Sequence, residues 1–90
     1  MTMQTFKRLF KAYQKAEKAA TAAEMAYDRE PENEALETAF DKAYEAEHKA
    51  MTELMDGIVE YTAGMIDRPT ARLMILKMPE RLEALVNKIA

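Results

Sequence analysis

Ninety residues, no cysteine and a formal charge of −3 bound this chain to one small domain that uses neither disulfides nor a thiolate metal site. Apolar residues make up 49%, but sixteen of the forty-four are Ala, so the core must be thin wherever Ala predominates. Two Gly, three Pro and few β-branched residues indicate an all-α fold, and no run approaches the roughly 20 apolar residues of a membrane span.

In chain order, the first helix is expected over about residues 3–28. It opens with MTMQTFKRLFKAY, which lacks the uninterrupted apolar stretch of a signal peptide, so a cytoplasmic location and no membrane contact are expected. DREPENEAL places Pro31 ahead of a Glu-rich turn, predicting a second helix over about 31–64 with Pro31 at its first position and Gly64 as its C-cap. Asp67 and Pro69 announce a short third helix at about 69–77. Pro79 restarts a fourth at about 79–89. KAY at 11–13 recurs at 42–44, a match that two Ala/Lys/Glu-rich helices share whether or not they arose by duplication.

The first two helices, long and joined by a tight turn, form an antiparallel hairpin. Leu9, Ala12, Ala16, Ala19, Ala23 and Ala26 recur at steps of three and four, as do Leu36, Ala39, Ala43, Ala46 and Ala50. Facing Ala seams are therefore expected to draw the two backbones close. A bulkier stripe lies a quarter turn away on each helix. Phe6, Phe10, Tyr13, Ala20 and Tyr27, broken by Glu17 and Glu24, answer Phe40, Tyr44, Met51, Leu54, Ile58, Tyr61 and Met65, broken by Glu47. The short helices, with Leu73, Leu76, Leu82, Leu85, Val86 and Ile89, are long enough to cover only part of it. Tyr27, Leu36, Phe40 and Tyr44 near the turn are left as the expected self-association interface. Met51, Met55, Met65, Met74 and Met78 are expected to fill the core.

The expected fold is thus a long antiparallel helical hairpin with an Ala-rich seam plus two short helices, the bundle completed by a homodimer. Chemistry has few candidates. There is no Ser, one His and no Cys, so no catalytic residue, no cofactor and no metal is expected. Glu45 and His48 have the Glu-x-x-His spacing of di-iron bundles, with Glu17 and Glu24 as conceivable further ligands. That site needs a second copy of the motif, and His48 is read as a surface residue.

Residues 1–22 carry +4, residues 23–67 carry −10 and residues 68–90 carry +3. Lys7, Arg8, Lys11, Lys15 and Lys18 form a basic ridge facing either phosphate or an acidic partner. The expectation is a solvated face neutralised by Glu53, Asp56 and Glu60, with nucleic acid not the favoured partner. The function read from the sequence is a non-enzymatic, self-associating protein–protein interaction module. Its rivals are a nucleic-acid-associated regulator using the ridge, and an adaptor whose acidic tip (Glu30, Glu32, Glu34 and Glu37) meets a basic partner.

Overall fold

The computed structural model describes residues 2–89, with all side chains except those at 86, 88 and 89. The places expected for Val86 and Ile89 in the cover lie outside the described side chains. The described chain is all-helical: α1 (Met3–Arg29), α2 (Glu34–Tyr61), α3 (Arg68–Lys77) and α4 (Pro79–Ile89), within 46 × 23 × 20 Å.

Each start has a local cause. Thr2 caps α1 by accepting from the Thr5 N–H at 3.2 Å. Asn33, not Pro31, starts α2, because its Oδ1 accepts from the N–H groups of both Ala35 and Leu36 (3.0 and 3.3 Å). Pro31 therefore belongs to the turn, and Glu34 and Glu37 supply the negative charge that favours a helix N-terminus. Asp67 caps α3 through the Thr70 N–H at 2.9 Å, with Pro69 in the first turn.

α2 ends at Tyr61, three residues before Gly64. Thr62 explains the early stop. Its hydroxyl donates to the Ile58 carbonyl (2.8 Å) and accepts from the Ile66 N–H (3.2 Å), tying both sides of the bend together. Ala63 and Gly64 then both take left-handed conformations (φ 53° and 83°), and the Gly64 N–H closes back on the Val59 carbonyl at 2.9 Å.

The hairpin seam differs from the one expected. Ala12, Ala19, Ala39 and Ala46 are exposed, whereas Phe6, Tyr13 and Ala20 are buried. Leu9, Ala16, Ala23 and Tyr27 are half-buried with them, as are Leu36, Phe40, Ala43, Glu47 and Ala50 across the hairpin. Two ring contacts fix the register: Phe6 meets Tyr61 edge-on at 4.9 Å, and Tyr27 meets Phe40 at 5.9 Å. Both pairs are separated by three heptads on each helix. Leu9, Ala16 and Ala23 belong to either seam and Ala26 is half-buried as well, so the choice lay between adding Ala12 and Ala19 or Phe6, Tyr13, Ala20 and Tyr27. Each aromatic ring brings roughly 150–250 Å² of burial, far more than Ala offers, and the second set wins. The seam is one surface of alternating large and small residues.

The main core sits where α3 and α4 close over the hairpin. Leu54, Ile58, Ala71, Ile75 and Leu82 are almost fully withdrawn from solvent there, together with Phe6 and Tyr13. α3 buries Ala71, Met74 and Ile75, so Leu73 and Leu76 face outward, each about half exposed, against the expectation that they cover the hairpin. Met74 is buried and Met51, Met55 and Met78 are half-buried. Met65, next to the left-handed turn, points outward and is 90% exposed.

The revised seam has a direct test. Ala20→Leu is expected to lower stability by about 1–3 kcal/mol through overpacking, while Ala19→Leu, one residue along but exposed, should leave the urea midpoint unchanged. Equal midpoints for the two variants would contradict this packing.

Candidate functional site

α3 and α4 run out halfway along the hairpin, and their elbow at Met78–Pro79 ends against an open groove. At this junction lies a cleft of about 470 Å³. Tyr13 and Glu17 line it from α1, Tyr44, Glu47, His48 and Met51 from α2, and Arg72, Ile75, Leu76 and Pro79 from the elbow. From there the face of the hairpin that α3 and α4 leave uncovered, with Tyr44, Phe40 and Tyr27, continues toward the turn.

An aromatic ladder forms its α2 side. Tyr27 touches Phe40, Phe40 meets Tyr44 at 6.3 Å, and Tyr44 meets His48 at 5.4 Å, the last two edge-on. Of the four residues expected to be bare, Tyr44 is 51% exposed, while Tyr27, Leu36 and Phe40 are half-buried because their apolar bodies also serve the seam. Leu76 and Leu73, outward on α3, extend the apolar surface past the cleft. Sequence periodicity missed these two. A signal was present: Ala71, Leu73, Met74, Ile75 and Leu76 wrap most of a ten-residue helix, more than one neighbour can bury.

The α1 side is acidic. Ala20 is buried and small, and Glu17 and Glu24 flank it one heptad apart. Glu47 sits at a seam position across from them. Burial, followed by the charge of Glu17, pushes its carboxyl above the ordinary value; Glu24 adds to this, and His48 opposes it. Burial also raises the Tyr13 hydroxyl, reinforced by its hydrogen bond to the Glu17 carboxylate. The phenol therefore keeps its proton beside the Glu17 carboxylate.

His48 and Glu17 do come near one another, with Glu47 rather than Glu45 as the nearby glutamate of α2. Among the described residues, no group of three or more metal-ligating side chains is arranged to hold an ion. Along the outer side of α1, Arg8, Lys11, Lys15 and Lys18 are exposed and Lys7 is half-buried, with Lys7 and Lys11 also bordering α4. Asp56, expected to neutralise this ridge, instead pairs with Arg68 of α3 at 3.1 Å. The acidic tip forms a shallow depression around Glu30, Pro31, Glu32 and Asn33. Among the described residues, no helix is long and apolar enough to cross a membrane.

Glu47 gives a pH prediction. A carboxyl whose folded pKa is raised contributes most to stability at low pH, and that contribution is lost as pH rises through the folded value. Glu47→Gln is therefore expected to raise the melting temperature near pH 7, with the gain shrinking toward about pH 4. A gain that stayed constant with pH would place its cause outside this carboxyl. No family model, curated protein or solved structure matches the chain.

Proposed function

We propose that the protein is a non-enzymatic helical interaction module whose contact surface is the uncovered half of the hairpin. The observation that carries this reading is the aromatic ladder Tyr27–Phe40–Tyr44, left open where α3 and α4 end and extended by the outward Leu76 and Leu73. An open groove between two long helices suits a third helix, whose apolar residues would pack along the ladder. A second copy of the chain is the occupant always at hand, and self-association as a symmetric dimer is part of this proposal.

Light scattering at micromolar concentration tests it. The wild type is expected at about twice the 10.3 kDa chain mass. Tyr44→Asp, at an exposed position that leaves the seam intact, should shift the mass toward monomer without loss of helicity. Phe40→Asp should act in the same direction and also loosen the hairpin, since Phe40 touches Tyr27. A concentration-independent monomer would remove self-association from the proposal.

The exposed Arg8, Lys11, Lys15 and Lys18 support a second reading, contact with nucleic acid. Such binding would weaken steeply with salt, by about 0.9 logarithmic units in affinity per logarithmic unit of salt for each phosphate neutralised. The charge of −10 over residues 23–67 opposes it. The expected outcome is no duplex binding tighter than roughly 10⁻⁴ M at physiological salt. Salt-sensitive micromolar binding abolished by Lys11→Glu with Lys15→Glu would promote the ridge over the groove.

A further inference from the structure

The groove changes charge along its length, and its covered half shows how this fold receives a helix. Near the N-terminus of α1, Lys7, Phe10, Lys11 and Gln14 share a shallow groove with Glu83 and Asn87 of α4. A basic edge of α1 is there met by a covering helix that presents an acid. Beyond the elbow the sign reverses. Glu17 and Glu24 occupy the edge and Glu47 stands across from them, with Arg72 of the elbow as the one Lys or Arg lining the cleft. None of these three carboxylates is ion-paired to a Lys or Arg among the described residues.

We propose that the uncovered half receives an amphipathic helix whose apolar stripe is bordered on one edge by two Lys or Arg residues a heptad apart, and that such a helix binds there more tightly than a second copy of this chain and displaces it. The inference rests on the reading of this face as a contact surface and names its occupant. Charge complementarity makes the choice. A copy related by a two-fold axis would bring its own Glu17, Glu24 and Glu47 to the same groove, and excluding water from like charges is unfavourable. A basic edge turns those carboxylates into partners.

Spacing sets the pattern. Glu17 and Glu24 lie about 10 Å apart along α1, which basic residues at i and i+7 match. The ladder opposite, Phe40–Tyr44–His48, accepts the apolar stripe. At the elbow, the cleft of about 470 Å³ lined by Tyr44 and Leu76 is large enough to admit an apolar side chain of the docked helix. The uncovered stretch of α1 from Glu17 to Arg29 is about 18 Å long, enough to contact a helix over three to four turns.

The test uses two fluorescein-labelled synthetic helices of about 18 residues, both with a Leu stripe. One carries Lys at the two edge positions and the other carries Glu there. Fluorescence anisotropy with the full chain near pH 7 should show the Lys helix binding at least about tenfold more tightly. Combining Glu17→Gln, Glu24→Gln and Glu47→Gln should abolish the preference. Combining Glu30→Gln, Glu32→Gln and Glu34→Gln, an equal change in net charge at the tip, should preserve it. Equal binding of the two helices by the wild type, or a preference that survives in the groove variant, would overturn the proposal. If neither helix binds while Tyr44→Asp still dissociates a dimer, the inference fails and the contact-surface reading stands. If Tyr44→Asp alters neither binding nor mass, both fail.

Discussion

A mismatch of lengths governs this protein. α1 and α2 have 27 and 28 residues, about 40 Å each, whereas α3 and α4 have 10 and 11 and reach about 15 Å. Two such caps cannot cover a hairpin of that length. Both follow the C-terminal end of α2, so they close over the same half of it. The core, the cleft at the elbow and the open groove all follow from that inequality.

The bend after α2 decides which face is covered. Thr62 ties Ile58 to Ile66 through one hydroxyl, while Ala63 and Gly64 reverse the chain in left-handed backbone. Gly adopts such a conformation freely and Ala does not, so the bend holds a locally unfavourable residue in place through its hydrogen bonds. α3 then enters with its small Ala71 inward, which leaves Leu73 and Leu76 on the outside beside Tyr44 and the cleft.

The all-helical class and the hairpin were legible in the sequence, because Gly and Pro are few and the Pro and Asp punctuation acts locally. The start of α2 was less so. Pro31 and Asn33 are both good signals, and only the side-chain hydrogen bonds to Ala35 and Leu36 decide between them. The seam was misread for a deeper reason. An Ala stripe and an aromatic stripe that share Leu9, Ala16 and Ala23 satisfy the same periodicity, and periodicity carries no measure of buried area. Of the open face, Tyr44 was visible from spacing. Of the acidic edge, spacing showed only that Glu17, Glu24 and Glu47 interrupt the two bulky stripes; their proximity depends on the register that the Tyr27–Phe40 and Phe6–Tyr61 contacts set.

The uneven core also divides the molecule by local stability. In the hairpin half nearest the turn, Ala20 is the one buried residue among those described, whereas the other half holds Leu54, Ile58, Ile75 and Leu82. Sub-global opening is favoured where few apolar contacts resist it, so the turn half is the part that frays first. The surface open to a partner is then also the most deformable. Any helix that fills the groove must order it, and part of the gross interaction free energy is spent on that ordering. In the proposed role, such a surface would trade affinity for tolerance, taking partners of somewhat different girth through small changes in the separation of α1 and α2.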